Sequence, residues 1–214
     1  MRIEGDYGTD GYAVARELVT PAIARAFMAL LKEDLPAGPL PPSEGDVLPV
    51  LRRHTTEIYG GDYPPMLALL WGLTGTIEQI IGRKLVPTYS YFRFYREGDI
   101  LKVHSDRPAC EHSVSLTLDY SDDVPWPIEI ERRAIAQPQP IADDFGGEPY
   151  ASVGLGVGDA LVYRGCAHRH ARITPNPNGW SAHIFMHWVD PDGPHADQAF
   201  DGAGEPRPVN FTFA

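Results

Sequence analysis

A histidine and an aspartate one residue apart, His104 and Asp106, stand at the centre of the segment YREGDILKVHSDRPACEHSVSLTL, which runs from Tyr95 to Leu118. Imidazole nitrogen and carboxylate oxygen are both ligands for first-row divalent metals, and residues i and i+2 of a β-strand project from the same face. The spacing therefore allows chelation. Two ligands do not hold a catalytic metal, but two histidines and one carboxylate do, in a facial arrangement that leaves positions on iron(II) open for substrate and oxygen. The third ligand must come from elsewhere, and the segment GDALVYRGCAHRHARIT offers His168 and His170, 62 and 64 residues beyond Asp106. That separation suits a distant strand folded back beside the first. The two histidines share strand parity, so alternation does not choose between them.

The elements that must position these groups follow from periodicity. Before residue 85 the pattern is helical. Thr20 and Pro21 read as an N-cap and a first helical residue leading into AIARAFMALLKEDL. In YPPMLALLWGLTGTIEQIIG, Met66, Leu70, Leu73, Ile77 and Ile81 recur at helical spacing before Gly82 ends the run. The intervening PAGPLPPSEGD is a loop by composition. From residue 87 onward the runs are short, β-branched and aromatic: PTYSYFRFY, EHSVSLTLDY, WPIEIER, DALVYRG and WSAHIFMHWVD. The Pro-, Gly- and acid-rich AIAQPQPIADDFGGEPYASVGLGVG is expected to be one long loop. The expected architecture is α+β and mainly β, a jelly roll buttressed by N-terminal helices. Its helical support spans 1–84 and its β core 85–214, in a single domain of 214 residues.

Composition excludes several function classes. A formal net charge of -11, with no run of lysine or arginine, gives nothing to track phosphates or an anionic membrane surface, so nucleic-acid and membrane partners are not expected. The longest apolar stretch, MLALLWGLTGTIEQII, is short of a membrane span. Two cysteines, Cys110 and Cys166, make no disulfide framework, and the N-terminal segment has no apolar core with a small-residue cleavage site. A cytoplasmic location is expected; the sequence is silent on oligomeric state.

Tyr95, Gly98, His104 and Asp106, with Gly158, Asp159, ALVY and a following histidine, resemble the iron(II)/2-oxoglutarate-dependent dioxygenases, specifically the subset similar to prolyl 4-hydroxylases. More narrowly, YSYFRFYREGDILKVHSDRPACEHS, GDALVYRGC and HWVD look like an uncharacterised bacterial group; the resemblance covers roughly residues 85 to 195. It implies a double-stranded β-helix that binds iron(II), 2-oxoglutarate and O2. The implied reaction oxidises a C–H bond, with release of succinate and CO2. In the narrower group the ligand histidine lies four residues after a Gly-Cys pair and two before an arginine, which selects His170 over His168. Halogenation is disfavoured, since halogenases of the family give up the carboxylate that Asp106 supplies.

One departure from the family pattern stands out. The arginine or lysine that pairs with the 2-oxoglutarate C5 carboxylate, some ten residues after the distal histidine, is missing; Trp180 and Ser181 occupy the place, and no lysine or arginine occurs between Ile173 and Pro206. A buried carboxylate still needs a cation. Arg172, of the same parity as His170, is the first candidate, followed by Arg93 and by Lys102. Tyr95 is expected to hydrogen-bond the same carboxylate, as the matching tyrosine does in the family.

Tyr91, Arg107 and Trp126 are candidates for contact with a small-molecule or amino-acid-type substrate. Cys110 and Cys166 read as small buried hydrophobes rather than ligands. His183 and His187 alternate along the last strand and would share a face, where a second metal could sit, although core histidines are the commoner outcome. Glu129 and Glu131 are expected to mark the wet face of a half-buried strand. Two competing readings are a cupin-like metal-binding or sensing module without turnover, and a jelly-roll carbohydrate- or partner-binding domain in which the histidines are incidental.

Overall fold

Local rules place the helices. The computed structural model describes residues 1–35 and 47–202, so the predicted PAGPLPPSEGD loop lies outside the described residues. A one-turn helix, α1 (Tyr7–Asp10), is followed by α2 (Pro21–Asp34), which starts where Thr20 accepts a hydrogen bond from the Ile23 amide and Pro21 supplies a fixed φ. The third helix, α3 (Pro64–Ile81), buries Met66, Leu70, Ile77 and Ile81 along one stripe and ends at Gly82, whose φ of 77° is the left-handed cap that glycine adopts without strain.

Eleven strands among the described residues form two antiparallel sheets. The strands are β1 (Arg2–Glu4), β2 (Tyr12–Arg16), β3 (Thr56–Tyr59), β4 (Val86–Arg96), β5 (Leu101–His104), β6 (His112–Tyr120), β7 (Ile128–Glu131), β8 (Tyr150–Val153), β9 (Ala160–Tyr163), β10 (His170–Arg172) and β11 (Trp180–Val189). The larger sheet runs β1-β2-β9-β6-β11-β4-β3 and the smaller β5-β10-β7-β8. This is the expected mainly-β double-stranded β-helix.

The two faces of the larger sheet have different jobs. Phe92, Val114, Leu116, Ile184 and Met186 pack against Met28, Leu31, Met66, Leu70 and Ile77 of the helices, each buried side chain of this size contributing about 1.5–3 kcal/mol. Alternation then turns the neighbouring residues toward the smaller sheet, where Val14 and Leu161 meet Ile128 and Ile130, and Tyr95 and Phe185 meet Leu101 and Trp126. Register aligns Phe185 with Tyr91 and Ser115, and His187 with Ser113. The inner face of β4, β6 and β11 is therefore unusually polar.

Two expectations are corrected. Residues 1–84 are not purely helical, because β1, β2 and β3 all join the larger sheet. In β2, Ala13, Val14 and Ala15 are all buried, since helices or the smaller sheet cover both faces; this erases the alternation by which a strand is recognised. The long loop after β7 contains β8, paired with β7 from Ile128 opposite Val153 to Glu131 opposite Tyr150.

Candidate metal centre

Antiparallel pairing brings two histidines face to face. His104, the last residue of β5, and His170, the first of β10, are Cα partners, and their rings stand 4.4 Å apart. Each Nδ1 is tied to a backbone carbonyl two residues upstream, His104 to Lys102 O at 2.7 Å and His170 to His168 O at 3.1 Å. A carbonyl can only accept, so Nδ1 carries a proton and leaves Nε2 as the atom free to ligate, the orientation that metal-ligating histidines use. Both Nε2 atoms converge on one oxygen: Asp106 Oδ1 lies 3.6 Å from His104 Nε2 and 3.5 Å from His170 Nε2. Ligand atoms of the three residues lie within 4.8 Å of one another. This donor set, two neutral imidazoles and a carboxylate, fits a first-row divalent ion with open coordination positions.

Asp106 reaches this place by another route than strand alternation. β5 ends at His104, and Asp106 lies beyond it, its amide donating to Gly165 O at 2.9 Å. Gly165 allows the approach, because a Cβ there would come within 2.5 Å of Asp106 Oδ2, 2.5 Å of Cys110 O and 2.6 Å of Ser113 Oγ. Electrostatics prepare His104 and Asp106 for ligation, while a metal must displace the proton that Asp106 stabilises on His170. Burial pushes the His104 pKa down to about 4, keeping its imidazole neutral. Burial opposes ionisation of Asp106, but His170 and His104 beside it hold its carboxyl well below the usual range. Burial likewise works against protonation of His170, yet the Asp106 carboxylate outweighs it and raises the pKa.

The three residues line a cavity of about 260 Å³. Tyr59, Tyr89, Tyr91 and Phe185 supply its aromatic wall, and Arg93 and Arg107 its cations. Tyr59 and Tyr91 rings are 5.7 Å apart, Tyr89 and Tyr91 6.0 Å, and Tyr91 and Phe185 4.8 Å. Arg93 is buried; its Nε donates to Glu57 Oε1 at 2.8 Å and its Nη1 to the Tyr95 hydroxyl at 3.0 Å. Arg107 crosses the Tyr89 ring at 4.4 Å and pairs with Asp201 at 2.7 Å.

Other sequence-predicted residues lie away from the cavity. Arg172 is fully buried, donates from Nη1 to Trp126 O, and packs over the Trp126 ring at 4.7 Å. Lys102 pairs with Asp143 at 3.2 Å. Trp126, expected to meet substrate, is a core residue whose Nε1 donates to Thr174 O at 2.7 Å. Tyr95 sits one layer behind the cavity wall, its ring 4.9 Å from Trp126. His168 precedes β10, so the parity argument does not apply to it; its Nδ1 bonds Glu131 O at 2.8 Å, and it is outside the ligand cluster.

Three smaller expectations change. Glu129 and Glu131 are buried rather than wet: Arg169 grips Glu131 at 2.6 and 3.1 Å, and Glu129 accepts from the Ile173 amide at 3.1 Å. His183 and His187 do share the inner face but form no ligand group with each other among the described residues. Cys110, read as a plain hydrophobe, lies in a second ligand group with Asp106 and His187. Sequence reasoning missed Gly165, Glu57 and Ser113. The Gly-Cys pair was a signal for the first, whereas Glu57 and Ser113 carry none.

No protein-family model matches the chain, and no curated protein matches it. Solved structures do. HygX from Streptomyces hygroscopicus, with nickel, 2-oxoglutarate and hygromycin B bound, aligns at a TM-score of 0.63 and 13% identity over 86% of this chain and 84% of HygX. A prolyl-4-hydroxylase from Pseudomonas putida aligns at 0.58 and 16% identity over 86% of this chain and 95% of the enzyme. SnoN, a non-heme alpha ketoglutarate dependent epimerase from nogalamycin biosynthesis, aligns at 0.63 and 14% identity over 86% of this chain and 79% of SnoN. Likeness at these identities is a likeness of fold, and the chain has the double-stranded β-helix fold of the iron/2-oxoglutarate-dependent oxygenases.

Proposed function

We propose that the chain is an iron(II)- and 2-oxoglutarate-dependent oxygenase that hydroxylates an unactivated C–H bond of a small molecule or amino-acid side chain. The observation that carries this is the convergence of His104 and His170 Nε2 on Asp106 Oδ1, with both Nδ1 atoms fixed by carbonyls, beside a cavity. His104, Asp106 and His170 hold the metal. When bound, iron(II) and 2-oxoglutarate supply the oxidising chemistry, with succinate and CO2 as co-products.

Arg93 is the residue of choice for the C5 carboxylate, in place of Arg172 and Lys102. It alone of the three lines the cavity, Glu57 fixes its guanidinium, and Tyr95 takes one of its donors. Tyr89, Tyr91 and Phe185 exclude water from the reacting centre and give a flat substrate a face to stack on. Arg107 stands at the same cavity and orients an anionic group. Support for a small substrate comes from HygX, solved with hygromycin B, while SnoN, an epimerase, marks the reaction outcome as the part that needs direct measurement.

Iron-loaded protein incubated with 2-oxoglutarate in air should release succinate even without its substrate. Iron binding without succinate would favour the cupin-like module instead.

A further inference from the structure

A second set of ligand atoms draws on the same carboxylate. Asp106, Cys110 and His187 each offer one atom within 4.8 Å of the others, and Cys110 and His187 are each only 2% exposed. His187 is braced from behind, since its Nδ1 is 2.9 Å from Ser113 Oγ, and its Nε2 is buried with no hydrogen-bond partner among the described residues. A buried ring nitrogen without a partner is an expense that folded proteins rarely keep unless something else uses it. Ser113 also bonds Cys110 O at 3.2 Å and reaches toward Asp106 Oδ2 at 3.5 Å, so one hydroxyl ties together the elements that carry all three groups. The two oxygens of Asp106 are thereby divided: Oδ1 faces His104 and His170, and Oδ2 faces Ser113.

We propose that Asp106, Cys110 and His187 form a second metal position that takes a thiophilic divalent ion of the zinc and cadmium class. The chemistry separates it from the first position. Two imidazoles and a carboxylate suit iron(II), whereas one thiolate, one imidazole and one carboxylate, with water as fourth ligand, suit tetrahedral zinc. Metal–sulfur and metal–nitrogen bonds of about 2.3 and 2.0 Å place ligand atoms roughly 3.3–3.6 Å apart around such an ion. The cluster therefore has to close by about 1.5 Å at most, within reach of rotation about the single side-chain torsion of Cys110. On binding, the Cys110 S–H bond breaks, a sulfur–metal bond forms, and the proton leaves to solvent; no electron is transferred. Both thiols have a polar neighbour, Cys110 Sγ the Tyr89 hydroxyl at 3.1 Å and Cys166 the Arg107 carbonyl at 3.0 Å, but Cys166 belongs to no ligand group among the described residues.

The consequence is metal discrimination at a shared residue. Because both positions use Asp106, a zinc ion held by Cys110 and His187 competes with iron for its carboxylate. The inference goes beyond the proposed oxygenase activity and requires neither 2-oxoglutarate nor turnover.

Cobalt(II) is the probe, since thiolate ligation gives it a sulfur-to-metal charge-transfer band in the near ultraviolet. A His104→Ala/His170→Ala double variant removes the first position and keeps the second. It should bind one cobalt per chain and show the band. Adding Cys110→Ser or His187→Ala to the double variant should abolish the band, and adding Cys166→Ser should leave it. A cooperatively melting double variant without the band overturns the proposal, as does a band that survives Cys110→Ser. Should the double variant not fold, Cys110→Ser alone settles the matter with cadmium. Wild type should then show a sulfur-to-cadmium band that Cys110→Ser lacks while still binding iron, and a wild type without that band overturns the proposal.

Discussion

His170 faces His104 across the ladder between β10 and β5, and each imidazole is oriented in the same way, by the carbonyl two residues upstream in its own chain segment. The paired geometry fixes which histidine matters. His104→Ala and His170→Ala should each abolish stoichiometric iron binding, measured by anaerobic iron titration and metal analysis. His168→Ala should keep the iron, because its ring bonds Glu131 O and packs against Gly11, where a Cβ would come within 2.0 Å of its Nε2. A metal-free His168→Ala would reverse the assignment.

Arg93 supplies the cation that the sequence lacks at the family's usual place. Arg93→Gln should retain iron while weakening 2-oxoglutarate binding by about 2–5 kcal/mol, the cost of truncating one partner of a buried charge pair. Part of that loss reflects Glu57 left unpaired, so Arg93→Gln/Glu57→Gln is the cleaner comparison. Tyr95→Phe should cost about 0.5–1.5 kcal/mol, one hydrogen bond. Calorimetric titration of 2-oxoglutarate into manganese-loaded variants checks both, and an unchanged dissociation constant in the double variant would remove Arg93 from the site.

Gly165 is predicted to tolerate no side chain. The methyl group of Gly165→Ala would meet Asp106 Oδ2 and the Cys110 carbonyl at 2.5 Å, and overpacking of this kind costs about 1–3 kcal/mol. Chemical denaturation should show that loss, and iron affinity should fall with it. Wild-type values for both would mean that the loop moves freely and does not set the Asp106 position.

Acid sensitivity should follow a histidine outside both ligand groups. His112 Nδ1 lies 2.6 Å from the Tyr7 hydroxyl, and burial, then Arg164, pushes its pKa down from 6.5 to about 4. The unfolded chain binds that proton more tightly than the fold does, so stability is lost as pH falls from 6.5 toward 4, by about 3 kcal/mol for this residue. In urea titrations between neutral pH and pH of about 4.5, His112→Gln should show a shallower decline. An identical slope would exclude His112 as a contributor.

What the sequence made legible was local. Thr20, Pro21 and Gly82 announce helix ends through chemistry that acts over four residues, and the alternating aromatics of β4 announce a half-polar strand. His104 and Asp106 form a pair that often arises by chance, and it was the resemblance carried by Tyr95, Gly98 and the Gly-Cys pair that singled them out together with His170. What stayed hidden depends on the third dimension. Arg172 has the right parity but lies behind Trp126, Asp106 owes its place to a turn held by Gly165, and β2 is buried on both faces and so shows no period. Cys110 acquires possible chemistry only because β11 brings His187 beside Asp106.

Anaerobic titration of iron(II) into protein saturated with 2-oxoglutarate tests the central assignment most directly. Chelation of iron by the co-substrate needs two adjacent open positions, which a three-ligand facial site leaves, and it reports itself as a visible charge-transfer absorption. The account predicts that this absorption saturates at one iron per chain in wild type, persists in His168→Ala, and is absent in His170→Ala. No such absorption in wild type, or one that His170→Ala leaves unchanged, would contradict it.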